Sequence, residues 1–241
     1  YDFTQKVNAS RDIDVILDHV LETLERIYDA DLIAITLTEG PGESSVMKRV
    51  GGRVQEHVLD REIDHRDTLI GLVAESGKYF SSDDLSSRAM HKSVFGKEVD
   101  FAAGIKKIKS VLIFPLSLAN GESDAGVGSV TGSVIIGRNK KEPFNEGERS
   151  LARIICQEAC KSIRSCRDFS EVRELAIKDG LTGLYNHRHF QEMLDYTIIH
   201  SDRFSGAASV LLIELDDLKK INDTYGHQAG DSALANVGRV L

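Results

Sequence analysis

The chain reads as an α/β protein of the α+β kind, with two units carrying mixed sheets and one long helix between them. Three observations carry that reading. Over residues 11–165, short runs of branched apolar residues closed by Gly or Pro alternate with stretches of three-and-four apolar spacing. From Asn145 to about Lys178 helical spacing continues without proline, and without glycine after Gly147. Asp179-Gly180 then breaks the helix, and a second alternation of helix and strand patterns begins.

Each element follows from its local pattern. Ile13, Ile16, Leu17, Val20, Leu21, Leu24 and Ile27 recur at helical spacing and make residues 11–28 an amphipathic helix. Leu32-Ile-Ala-Ile-Thr-Leu-Thr38, closed by Glu39-Gly-Pro-Gly, is a strand ending in a turn. Leu69 to Gly77 is a short helix stopped by glycine, and Ser110–Leu118 and Gly132–Gly137 are strands flanking a Gly/Ser-rich hairpin. In the long helix, Cys156, Ala159, Ile163, Cys166, Phe169, Val172 and Ala176 form a seam suited either to a parallel partner helix or to packing on the same domain. Beyond Asp179 a helix is expected from about His187 to His200, a strand from Ala208 to Leu215, and a helix from about Asp231 to Leu241.

Composition bounds the function. Of 241 residues, 41% are hydrophobic and 28% charged, the balance of a chain that buries a core. A net charge of -8 argues against polymeric nucleic acid or an anionic membrane surface as partner. The best uncharged apolar run, Ser110 to Asn120, is broken by Pro115 and falls short of the ~20 residues that span a bilayer, so no membrane crossing is expected. The chain opens at Tyr1 with no signal-peptide pattern, which predicts an excerpt of a longer, cytoplasmic protein. Cys156, Cys160 and Cys166 are odd in number, share one helix and lack CxxC spacing, so reduced, packed thiols are expected.

Ala30-Asp31 before the first strand, Gly71-Leu-Val-Ala-Glu-Ser-Gly77, Ser110-Val-Leu-Ile-Phe-Pro-Leu116 and Pro143-Phe144 before the long helix resemble a GAF domain. The resemblance implies a GAF-like sensor domain over 1–165 that takes a small ligand the sequence does not identify. Asn139-Lys140, Phe144 and Glu148 are similar to part of the motif of cyclic-nucleotide-binding GAF domains, with Arg149 where that motif ends in an acid. The same residues suit a structural lysine-to-acid clamp.

Asp179-Gly-Leu-Thr-Gly-Leu-Tyr-Asn186 and Asn222-Asp-Thr-Tyr-Gly-His-Gln-Ala-Gly-Asp231 resemble, in order, the opening and the nucleotide-binding segment of GGDEF diguanylate cyclase domains. This implies a helical signalling linker at 166–178 and the N-terminal part of a GGDEF domain at 179–241. Glu214 closes an apolar strand, where a carboxylate can meet a divalent cation through oxygen. In the family that position is Asp and binds Mg²⁺ (or Mn²⁺) with the carbonyl of the next residue, so the resemblance makes Glu214 and Leu215 the metal ligands and Glu214 catalytic. The turn through Asp217 and Leu218 presents backbone N–H groups at a helix start, a seat for phosphate, although Asp216 and Asp217 would repel it unless turned away or screened by a cation. Phe is usual in the family where Leu218 stands. Asn222 and Asp231 resemble the pair that reads guanine: a carboxylate accepts from both N1–H and N2–H₂, donors that adenine lacks. Set apart from the motif, Asp231 would suit a helix N-cap and Asn222 a turn. His187 and His189, two apart on a helix, do not face each other and suggest no metal pair.

The resemblance implies condensation of two GTP into cyclic di-GMP by a homodimer joined through the helical linker. The signature Gly-Gly-Asp/Glu-Glu-Phe hairpin is not among the 241 residues, which by themselves are expected to be inactive. Two other readings stay open: a GTP-binding regulatory module that has lost turnover, and a GAF sensor whose small ligand is its main function.

Overall fold

The computed structural model describes residues 12–39, 44–53, 58–85, 92–102, 104–118, 130–204 and 206–241. The expected Gly/Ser-rich hairpin, at 119–129, lies outside them. The chain divides into two units, Tyr1–Cys166 and Arg167–Leu241.

In the first unit the elements run α1 (Ile13–Ile27), β1 (Leu32–Glu39), β2 (Ser44–Gly52), β3 (Glu62–Asp64), α2 (Leu69–Ser76), β4 (Phe80–Ser82), α3 (Lys97–Ala102), β5 (Ser110–Pro115) and β6 (Gly132–Arg138). Helix α4 (Glu146–Ile177) follows. The described strands form one six-stranded sheet in the order β3-β2-β1-β6-β5-β4, and every pairing is antiparallel. The α+β class is as expected, whereas the sheet is not mixed. β1 sits at its centre between β2 and β6, with Ile33 opposite Ile136 and Ile35 opposite Val134.

Both faces of this sheet are covered, which is why β1, β5 and β6 read as unbroken apolar runs rather than alternating ones. On one face Ile33, Ile35, Leu112, Phe114, Val134 and Ile136 meet Ile16, Leu17, Val20 and Leu24 of α1 and Ala152, Cys156, Ala159 and Ile163 of α4. On the other, Leu32, Ala34, Val111, Ile113 and Ile135 meet Ile70, Val73, Phe95 and Val99. Successive residues of a strand therefore serve opposite cores, as the pleat requires. Helix α2 starts at Thr68, whose Oγ1 accepts from Gly71 N at 3.0 Å, and stops at Gly77 in the left-handed region (φ 64°).

The seam expected along the long helix splits in two. Cys156, Ala159, Ile163 and Cys166 are at most 5% exposed and belong to the first unit's own core, so they offer nothing to a partner helix. The three cysteines form no disulfide and are buried, and desolvation pushes the thiols of Cys156 and Cys166 upward, away from thiolate character.

In the second unit the end of α4 leads to α5 (His187–Phe204), α6 (Leu218–Tyr225) and α7 (His227–Gly238). The strand expected at Ala208–Leu215 is not formed: residues 206–215 carry no ladder, and Leu211 and Leu212 are 82% and 94% exposed. A strand exists only by pairing, and among the described residues of this unit none supplies a neighbouring strand. The last helix begins four residues earlier than Asp231, at His227.

Ile163→Glu is expected to unfold the first unit rather than separate a dimer, because an unpaired charge in a closed core costs more than ~3 kcal/mol. Loss of the cooperative thermal transition by circular dichroism is the outcome to look for; an intact transition would place Ile163 at a surface.

Candidate functional site

Two polar constellations stand out, one in each unit. The first gathers where β6 ends and α4 begins. Asn145 and Glu148 form a reciprocal cap: Glu148 N donates to Asn145 Oδ1 at 3.0 Å, and Asn145 N donates to Glu148 Oε2 at 2.9 Å. The other carboxylate oxygen of Glu148 accepts from Arg138 Nη2. Arg138 is 8% exposed, donates from Nε to the Asp29 carbonyl at 3.2 Å, and lies 4.3 Å over the Phe144 ring. Tyr28 Oη completes the knot by donating to the Glu148 carbonyl at 2.6 Å.

The end of α1, the end of β6 and the first turn of α4 are thus tied at one point. The acid of this clamp is Glu148, but its cation is Arg138 and not Lys140. Lys140 Nζ stands 3.9 Å from Asp29 with both side chains largely exposed, a pair worth little. Arginine suits the buried role because its planar fork bonds a carboxylate and stacks on a ring at once. A cleft of about 160 Å³ beside the knot is lined by Asp29, Asp31, Lys140, Glu142, Asn145 and Glu148, among others. Desolvation alone would raise the Glu148 pKa, but the Arg138 hydrogen bond, the Asn145 N–H and the Arg138 charge together hold it below its ordinary value.

In the second unit the segment Asp179–Asn186 is a tight turn between two helices. Asp179 Oδ1 accepts from Thr182 N at 2.9 Å, Thr182 Oγ1 at 2.8 Å and Leu181 N at 3.2 Å, bonds that hold its carboxyl below the usual range. Asn186 joins the two helices: Oδ1 caps α5 by accepting from His189 N, and Nδ2 donates to the Ala176 carbonyl at the end of α4. The His189 ring meets the Tyr185 ring at a 51° tilt with 4.5 Å between centroids, and His187 Nε2 faces Gln191 Nε2, so each imidazole has a local role.

Glu214 is exposed and Leu215 half-buried in the extended stretch before α6. Asp217 adopts φ 57° at the N-cap of α6 and makes no side-chain cap bond, while Leu218 is the first helical residue. The first intrahelical bond is Ile221 N to the Asp217 carbonyl, so the N–H groups of Leu218, Lys219 and Lys220 precede the ladder.

Asn222 on α6 lies against α7. A Cβ built on Gly230 would stand 1.8 Å from Asn222 Oδ1, and Gly230 is buried beside the exposed Asp231. Asn222 therefore packs on the residue that precedes Asp231, across the α6–α7 pair. Asp231 sits inside α7 and is no helix cap, and Asn222 is helical rather than a turn residue. Gly238 also approaches the Thr182 carbonyl, an added Cβ lying 2.4 Å away, which seats the end of α7 on the Asp179 turn. Glycine costs ~1 kcal/mol relative to alanine inside a helix, so both close approaches are features the packing requires. The sequence reading attached no role to Arg138 or Gly230; a glycine in a helix interior is the signal that could have drawn attention to the second.

Comparison with known proteins finds a family match in each part of the chain. The sequence matches the family described as GAF domain over residues 10–161 and the family described as diguanylate cyclase, GGDEF domain, over 176–241. The chain therefore belongs to the GAF domain family, with a GGDEF segment following the GAF fold. Over 67 residues it is 40% identical to the "Probable diguanylate cyclase DgcC" of Escherichia coli, covering 28% of this chain and 18% of that protein. Over 61 residues it is 46% identical to "Response regulator PleD" of Caulobacter vibrioides, covering 25% and 13% respectively. The chain thus spans under a fifth of the length of either relative. The GAF domain of a phosphoenolpyruvate-protein phosphotransferase from Coxiella burnetii shares the fold of the first unit, with TM-score 0.57, 18% identity, and coverage of 70% of this chain and 93% of that one. Diguanylate cyclases of the GGDEF family use a divalent metal. Among the described residues no helix is long and apolar enough to cross a membrane.

Because the folded pKa of Glu148 lies below its unfolded value, its contribution to stability is complete above the ordinary value of 4.5 and is lost as pH falls through the folded value. Glu148→Gln should therefore lower the melting temperature at neutral pH, and the gap to wild type should close as pH drops below 4.5. Calorimetry across that range checks it; a gap independent of pH would remove the charge from the clamp.

Proposed function

We propose that the protein is a sensor-regulated diguanylate cyclase of the cytoplasm, in which the GAF domain binds a small ligand and the GGDEF domain takes GTP. The observation that carries the reading is the meeting of Asn222 with Gly230, the residue before Asp231, across α6 and α7, within a segment that matches the GGDEF family. Asp231 carries a carboxylate exposed to solvent and free of any capping duty, available to accept from guanine N1–H and N2–H₂. The N–H groups at the start of α6, after Asp217 and at Leu218, are the seat for phosphate.

The reaction is condensation of two GTP into cyclic di-GMP, each 3′-hydroxyl attacking the α-phosphorus of the other nucleotide and releasing pyrophosphate. Glu214 and the Leu215 carbonyl are hard oxygen donors of the kind Mg²⁺ or Mn²⁺ takes. Among the described residues no three acids, histidines or cysteines gather into a metal-holding group, so these two residues alone do not complete a metal centre. Glu214 is the residue assigned to metal binding and catalysis on the motif alone.

Two nucleotides facing each other call for two chains. The helical linker supplies the surface for a parallel homodimer through its second half, where Val172 and Leu175 are 65% and 76% exposed, and not through Cys156–Cys166. The sensor then acts by favouring one dimer arrangement over another.

Three outcomes are expected of the full-length protein. Incubated with GTP and Mg²⁺, it forms cyclic di-GMP, resolved by chromatography; GTP binding without product favours the regulatory module that has lost turnover, with Glu214→Asp as the rescue. Asp231→Ala weakens GTP binding by ~1–3 kcal/mol, the cost of leaving the guanine donors unpaired, and barely changes ATP binding in titration calorimetry. Val172→Glu yields monomers in sedimentation without loss of the thermal transition, whereas an unchanged dimer moves the interface elsewhere.

A further inference from the structure

Glycine is among the weakest helix formers, yet Gly230 lies inside α7, fully buried. Its Cα faces the head of the Asn222 side chain: an added Cβ would stand 1.8 Å from Oδ1, 2.8 Å from Cγ and 3.3 Å from Nδ2. Oδ1 is buried and has no hydrogen-bond partner, while the residue as a whole is only half-buried. The amide is thus pressed oxygen-first against the glycine, leaving Nδ2 as the end that can reach a ligand. A buried acceptor without a donor is a cost that a fold avoids where it can, and here it accompanies the seating of Asn222 next to Asp231.

We infer that Gly230 is a positioning residue for base selection: by lacking a side chain it holds the Asn222 amide in one orientation, so that Nδ2 and the Asp231 carboxylate address the same guanine. This rests on the nucleotide reading proposed above. The chemistry is complementary, since the carboxylate accepts from the N1–H and N2–H₂ donors and the amide N–H donates to a ring acceptor of the same base. Nothing of Gly230 touches the nucleotide; it acts through Asn222. The atoms that would meet a new Cβ belong to a side chain with two rotatable bonds and not to backbone, so a methyl group at 230 displaces the amide and leaves the helix pair standing.

The test is a double-mutant cycle on the full-length protein, with GTP and ATP binding measured by titration calorimetry and folding followed by circular dichroism. Gly230→Ala is expected to weaken GTP roughly tenfold and to shrink the preference for GTP over ATP, with ATP binding nearly unchanged. In an Asn222→Ala background the same substitution is expected to change GTP affinity less than about twofold, because the side chain it would displace is gone. Equal losses in both backgrounds would show that Gly230 acts through the fold at large and would overturn the inference, as would unchanged GTP affinity in Gly230→Ala alone. If Gly230→Ala does not fold, the double variant, free of the clash, must fold and bind GTP as Asn222→Ala does; failure of both to fold also overturns it. Should Asn222→Ala leave GTP affinity untouched, the nucleotide reading itself falls, and this inference with it.

Discussion

The bond between Arg138 and Glu148 is the constraint on which the first unit turns. It is made where the first helix, the last strand and the long helix come together, and each of its two residues has a second duty. Glu148 caps the helix it begins, Arg138 covers the Phe144 ring, and the Glu148 carbonyl receives the Tyr28 hydroxyl. Several bonds converge on two side chains, so the direction in which α4 leaves the sheet is over-determined. The core beneath it, from Ile16 and Val20 to Ala159 and Ile163, closes only if that direction is kept.

Helix α4 consequently changes character along its length. Its first part is a core element of the GAF fold, buried among α1 and the sheet; past Cys166 the residues Phe169, Val172 and Leu175 are exposed. It then ends in a turn that is itself closed by side chains, with Asp179 collecting three donors and Asn186 bonding both the helix that ends and the helix that begins. Side-chain hydrogen bonds thus hold the helix at its start and at its end.

Close approach is the other theme of the second unit. Helix α7 meets Asn222 at Gly230 and Thr182 at Gly238, one glycine per contact. The opening motif and the nucleotide segment, some forty residues apart, are thereby parts of one packing arrangement, with Asp231 displayed between the two contacts. The stretch 206–215 shows the opposite case: apolar residues with strong strand preference remain an unpaired extended segment, because preference for extension does not supply hydrogen-bond partners.

By itself the sequence determined α1, α2, α4 and α5, strands β1, β5 and β6, the glycine stop at Gly77 and the two long motifs, all of which depend on neighbours within a few residues. The long helix was legible for the same reason, and so was the candidacy of Asn222 and Asp231, carried by a ten-residue motif. Only the tertiary structure decided that the sheet is antiparallel throughout, that Cys156 to Cys166 face inward, that Arg138 takes the place expected of Lys140, and that Gly230 is the seat of Asn222. Those outcomes depend on which residues distant in sequence arrive at the same point, and spacing along a chain specifies a face of a helix or strand without naming what that face will meet.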